Sequence, residues 1–173
     1  MDGKERRDAI LARLKAEEKP FSASRFAKEF QVSRQIIVGD IALLRAAGYD
    51  ITATARGYLL DAEVNKQGII RKIACQHTPE QTKEELEIII DLGGEVIDVV
   101  VEHPIYGELV GGLHIKNNTE IADFIYNYEK SRASLLSELT SGIHLHTIRC
   151  QNEEELLAIK KALAEKNILY KNE

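Results

Sequence analysis

The apolar positions of this chain change their spacing near residue 60. Before it they recur every three or four residues: Ile10, Leu11 and Leu14; Phe26, Ala27 and Phe30; Ile37, Ile41 and Leu44. That period predicts three amphipathic helices. Pro20 stops the first, Ser22 or Ser24 caps the second, and Ser33 caps the third, which Gly48 follows. Only Gln31 and Val32 separate the second helix from the third, the spacing of a helix-turn-helix. "YDITATARGYLL" then alternates on either side of Arg56-Gly57, which predicts a β-hairpin wing with Gly57 at the turn.

Beyond residue 60 strand and helix patterns take turns. "IIRKIACQH" reads as a strand, and "TPEQTKEELEIIIDLGG" as a helix opened by Thr78, Pro79 and Gln81 and ended by Gly93 and Gly94. "EVIDVVVEHPIYGELVGGLHI" reads as two strands and a loop. "EIADFIYNYEKSRA" reads as a helix capped by Asn118 or Thr119. "GIHLHTIRC" is a strand, "NEEELLAIKKALAEKN" a helix and "ILYK" a last short strand. The predicted class is α+β: a winged helix-turn-helix domain over 1–62, then an α/β sandwich regulatory domain over 63–173 in the order β-α-β-β-α-β-α-β. The polar "DAEVNKQG" is the expected hinge.

Composition sharpens this picture. The 173 residues suit one ordinary domain or two small ones. No apolar run approaches the ~20 residues of a membrane span, and "MDGKERRDAI" lacks a signal-peptide core, so a cytoplasmic protein is expected. Cys75 and Cys150 form no spaced motif and read as two buried thiols. Charge divides where the periodicity does. Residues 1–60 carry 11 Lys and Arg against 8 Asp and Glu, and residues 61–173 carry 12 against 20. A basic front and an acidic remainder imply different partners.

For the front, the chemistry is DNA reading. The third helix would present Ser33, Arg34, Gln35 and Val38 to the major groove, Arg suiting guanine edges and Gln adenine edges. Arg56 at the wing tip, with Arg25 and Lys28, would meet phosphates or the minor groove. A net charge of only +3 is modest, and a dimer would offset it through two modules binding together. The competing reading is a helical bundle for protein contacts.

For the remainder, the histidines matter. His144 and His146 share one strand face, with Cα atoms roughly 6–7 Å apart. On the helix after His77, Glu80, Glu84, Glu87 and Asp91 lie opposite the apolar arc of Leu86, Ile88, Ile89, Ile90 and Leu92. Glu85 lies within that arc. An inward carboxylate calls for a cation or a metal. His77, Glu85, His144 and His146 together suit one divalent transition metal, with Ni, Zn, Fe and Co all open. His103 shares strand parity with Ile97, Val99 and Val101 and leads into "PIYGEL", which makes it a pocket candidate; His114 follows Gly111 and Gly112. Cys75 stands two before His77, a conceivable Cys–His nucleophile but more simply a core thiol. Neither G-x-S-x-G nor a Walker loop occurs. Ligand sensing, metal sensing and a metal-dependent hydrolase joined to a helix-turn-helix remain as alternatives.

Here the chain resembles a known family. "SRQIIVGDIALLRAAGYDITATARGYLL" is similar to the winged helix-turn-helix of bacterial repressors. "HTPEQTKEEL", "VVVEHPIYGEL" and "GIHLHTI" resemble the three-histidine regulatory domain. Together they resemble the nicotinate-responsive repressors of NAD biosynthesis, NiaR, over about residues 5 to 170. The resemblance implies a dimeric repressor of NAD-synthesis and nicotinate-uptake genes, with operator DNA as partner and nicotinic acid as co-repressor. It implies a metal site at His77, Glu85, His144 and His146. It sets His103, with Tyr106 of the same segment, near the ligand. Arg71, Lys72 or Arg149 would meet the ligand carboxylate.

Overall fold

The computed structural model describes residues 1–60, 67–131 and 134–170. The chain divides into two compact units, Met1–Asn65 and Lys66–Glu173. Most of the expected hinge, residues 61–66, lies outside the described residues.

The first unit holds helices α1 (Gly3–Ala16), α2 (Ala23–Phe30) and α3 (Arg34–Ala46), then strands β1 (Ile51–Thr54) and β2 (Gly57–Leu60). Asp2 and Glu5 form a reciprocal cap on α1; Ser22 and Ser33 cap α2 and α3. Gln31 ends α2 in the left-handed conformation and sets the tight turn into α3. Ile10, Leu14, Phe26, Ile37, Ile41 and Leu44 interlock as one apolar core. Asp40 is the buried charge in this unit, and Arg6 (Nε–Oδ2 2.5 Å) and Arg7 (3.3 Å) of α1 pair with it. The wing turns at Ala55-Arg56, one residue earlier than the sequence suggests, with Thr54 paired to Gly57. Gly57 is needed for a different reason: a Cβ there would meet the Phe21 and Ser22 backbone at 2.5–2.7 Å. Phe21 and Tyr58 exchange two backbone hydrogen bonds at that approach.

The second unit is an antiparallel sheet of β3 (Ile69–Gln76), β4 (Glu95–His103), β5 (Gly107–Ile115) and β6 (Ile143–Cys150), in the order β5-β4-β6-β3. Helices α4 (Thr82–Asp91), α5 (Asn118–Lys130) and α6 (Glu153–Glu165) join one face of it. Leu86 and Ile89 from α4, Ile121 from α5 and Ile159 and Leu163 from α6 close over Ile73, Val96, Leu113 and Ile148. A 3-10 turn (Pro79–Gln81) precedes α4, and a second (Leu136–Thr140) precedes β6.

Three local expectations are corrected. Asn117, not Asn118 or Thr119, caps α5, accepting from the Glu120 amide. The "ILYK" strand reduces to one bridge between Leu169 and Cys75. In β4, a bulge between Val96 and Asp98 inserts Ile97, so Val96 and Val99 both face the core. Strict alternation had grouped Ile97 with Val99; one extra residue inverts the parity.

Candidate metal centre and nucleic-acid interface

Register brings the second unit's chemistry together. Cys75 of β3 lies opposite His144 of β6, and Ile73 opposite His146, so both histidines point to the helix-covered face. His77 continues the same parity just past β3. Glu85 reaches the same place from the first turns of α4, flanked by Leu86 and Ile89. Gly142 makes the approach possible, because a Cβ there would strike the carbonyl of His77.

The four side chains converge on one point. Nε2 of His77 and of His144 lie 2.7 and 2.8 Å from Glu85 Oε2, and His146 Nε2 lies 2.7 Å from Oε1. Their side chains are between 1% and 4% exposed, so they are removed from bulk solvent. Neighbouring imidazoles meet edge to face, at 4.8 Å for His77–His144 and 4.7 Å for His144–His146.

The other ring nitrogens decide what this cluster needs. His77 Nδ1 is 2.7 Å from the Thr78 carbonyl; His144 Nδ1 and His146 Nδ1 are each 2.8 Å from the carbonyls of Gly142 and Asp98. A carbonyl only accepts, so each Nδ1 carries the proton. A neutral ring then aims a bare Nε2 lone pair at a carboxylate, which also only accepts. Three lone pairs facing one carboxylate at these distances require protons or a cation between them. His77 Nε2 shows the mismatch, being buried beside Oε2 without a hydrogen-bond alignment. Imidazoles oriented through Nδ1 by backbone carbonyls, with a carboxylate beside them, are the usual surroundings of a transition metal. The donor set fits such an ion.

Without an ion, protons fill the role. Burial would raise the Glu85 carboxyl, but the charge of His146 and the hydrogen bonds of His144 and His146, with His77 beside them, hold it well below the usual carboxylate range. Burial works against charge on His77 and His146, and Glu85 outweighs it, raising both. Cys75, which entered the sequence reading as a core thiol, sits with its Sγ within 4.8 Å of donor atoms of Glu85 and His144. Burial, then Glu85, pushes that thiol upward, so it is neutral.

The cluster lines a cleft whose empty space, open solvent included, is about 340 Å³. Leu86, Val99, Leu113, Phe124, Leu135 and Leu136 wall it, and Thr82 and Ser137 add hydroxyls. None of these wall residues was legible as a site, because each reads as ordinary core in its own element. His103, Tyr106 and Arg71 are not among the lining residues. His103 closes β4 at the hairpin, where its Nδ1 accepts from the Ile105 and Tyr106 amides; Tyr106 is exposed there. Arg71 pairs with Glu153 at 2.6 Å. Among the described residues no Lys or Arg lines the cleft, Lys72 and Arg149 included.

In the first unit, Arg34 and Gln35 stand exposed at the start of α3. Ser33 is the cap, its Oγ accepting from the Ile36 amide at 3.2 Å. Val38 is half-buried and packs on the core. At ~100° per residue, the exposed stripe runs from Gln35 through Gly39 and Ala42, and Val38 lies on its flank. Arg56 is half-buried at the wing turn, where its amide donates to Thr54 Oγ1. Arg25 and Lys28 are exposed on α2, Arg25 lying 4.0 Å over the Phe21 ring. No helix among the described residues is long and apolar enough to cross a membrane.

Comparison with known proteins agrees with both halves. An HTH domain model matches residues 6–59, and a 3H domain model matches residues 70–172. "Transcription repressor NadR" of Bacillus subtilis is 42% identical over 172 residues, covering 98% of this chain and 96% of that protein. "Probable transcription repressor NiaR" of Thermotoga maritima is 41% identical over 165 residues, covering 95% and 93%. With both modules in the same order and near-complete coverage, the chain belongs to the NiaR/NadR family of transcription repressors, regulators that act through a DNA-binding helix-turn-helix and not as enzymes.

Proposed function

We propose that this protein is a cytoplasmic, homodimeric repressor of genes for NAD synthesis and nicotinate uptake. Its co-repressor is nicotinic acid, and a divalent transition metal is held by His77, Glu85, His144 and His146. The observation that carries the reading is the set of three imidazole Nε2 atoms gathered within 2.8 Å of the Glu85 carboxylate, lining an otherwise largely apolar cleft. Such a centre has the donors for an ion, and the cleft above it has walls for a flat ring. When bound, the ion supplies positive charge for a carboxylate or a ring nitrogen, in a cleft where the described residues offer no Lys or Arg. At the other end, Arg34 and Gln35 read base edges of an operator half-site, and a two-fold dimer reads two half-sites about 34 Å or a multiple apart.

Repression by nicotinate requires that it bind the DNA-competent state better than the other state. A coupling of ~1–3 kcal/mol shifts operator affinity about 5–150-fold. Operator titrations of the metal-loaded protein, with and without nicotinate, test this. Tighter binding with nicotinate is expected; equal affinities would reject the co-repressor. Affinity that follows the ion and ignores nicotinate would make the metal itself the signal.

A further inference from the structure

The hydroxyl of Thr82 has no role in the fold. Its Oγ1 is buried without a hydrogen-bond partner, and the residue is 6% exposed. A threonine in the first turn of a helix ordinarily bonds a nearby backbone group or reaches water. This one does neither, yet it lines the cleft beside Glu85. The two residues are three apart on α4, which sets their Cβ atoms about 5–6 Å from each other on one helical face. A buried hydroxyl left unpaired opposes folding, so it is expected to gain a partner in the working state.

The cleft limits what that partner is. Its walls are Leu86, Val99, Leu113, Phe124, Leu135 and Leu136, surfaces for a flat apolar body. Its polar lining is Thr82, Ser137, Glu85 and the three histidines, so an occupant's polar end must meet groups of this set. We propose that Thr82 is a specificity-determining residue that donates its hydroxyl proton to the carboxylate of a small aromatic or heteroaromatic acid bound in this cleft. This rests on the ligand-sensing reading above and adds the residue that recognises the acid group. Val has the shape of Thr without the hydroxyl, and Ser keeps the hydroxyl without the methyl, so the two substitutions separate bonding from packing.

The test is calorimetric titration of nicotinate into metal-loaded wild type, Thr82→Val and Thr82→Ser, with metal content measured on each. A parallel melt uses the metal-free proteins. Thr82→Val is expected to weaken nicotinate at least about tenfold, as loss of a hydrogen bond to a charged group does. Thr82→Ser should stay within about threefold, and metal content should be unchanged. Metal-free Thr82→Val should melt at or above wild type, because it loses an unpaired polar atom and no bond. Three results would each overturn the assignment: wild-type affinity in Thr82→Val, equal weakness in Thr82→Ser, or a lower melting point for metal-free Thr82→Val. Failure of wild type to bind nicotinate would overturn the ligand-sensing reading and this inference with it. Binding by wild type and Thr82→Val alike would overturn the inference alone.

Discussion

The two units bury charge in different ways. The first buries one carboxylate, Asp40, and supplies its partners from its own helix α1, Arg6 and Arg7. That carboxylate is paired with nothing added. The second gathers one buried carboxylate, Glu85, and three buried imidazoles at a single point, and commits each of those Nδ1 protons to a backbone carbonyl. What remains is a ring of acceptors. A polar centre that its own residues satisfy is architecture; one that they leave short of positive charge is a place for an ion. The difference separates a buried charge that serves the packing of its unit from a centre that, on the function proposed above, takes up an ion.

The largest break in this comparison comes from removing His144 and His146. Saturating metal at ~1,000 times its dissociation constant stabilises a protein by about 4 kcal/mol. Wild type should show a metal-induced rise in melting temperature of that order, and His144→Ala/His146→Ala none. Operator binding by the first unit should survive, since those residues lie outside it. A double variant that keeps the full metal response would place the ion elsewhere.

Phe26→Ala attacks the other unit with comparable force. Phe26 is fully buried between Phe21 and Phe30, with ring centroids 4.3 and 6.0 Å away. Truncation should remove about 3–5 kcal/mol from the first unit, seen as lost operator binding and an early melting step. Metal stoichiometry should be unaffected. Loss of metal in this variant would show that the units depend on each other in a way their separate cores do not suggest.

The pH response should be opposite with and without metal. His77 and His146 are raised above the ordinary 6.5, so their contribution is full below that value and fades as pH climbs through the raised one. Glu85 is depressed below 4.5, so its contribution is full above that value and fades only in strong acid. The metal-free second unit should therefore be more stable at pH 6 than at pH 8. The gain from metal should grow over the same interval, as protons cease to compete for Nε2. Melts in chelator and in excess zinc at both values check this; a metal-free protein that strengthens toward pH 8 would contradict the assigned protonation.

The smallest effects lie on α3. Arg34→Ala should weaken a cognate operator by about 1–3 kcal/mol and relax preference at one base. Val38→Ala should mainly cost stability, because its side chain packs on the core. A Val38 variant with full stability and altered base preference would show that the side chain reads a base.

The sequence showed the four clustered side chains because burial of a charge leaves a periodic trace. Glu85 stands out as the acid within an apolar arc, and His144 and His146 as polar alternates on a strand. The cleft left no such trace. Phe124, Leu135 and Leu136 look like core in their own segments, and only the packed fold leaves space between them. Arg71 was expected near the ligand for its charge, and His103 and Tyr106 through the likeness of their segment; none of the three lines this cleft. The β4–β5 hairpin carries His103 and Tyr106 to its turn, and Glu153 engages Arg71. The bulge at Ile97 was invisible for a related reason: alternation cannot reveal the one residue that interrupts it. The helix-turn-helix was the easiest part to read, since its caps and turn are local.

The claim that a single cation sits among these four side chains is met most directly by X-ray absorption spectroscopy on the metal-loaded protein. The account predicts one ion per chain whose inner shell shows three imidazole nitrogens and carboxylate oxygen, and loses imidazole scattering in His144→Ala/His146→Ala. No retained ion, or a shell without imidazole, would contradict it.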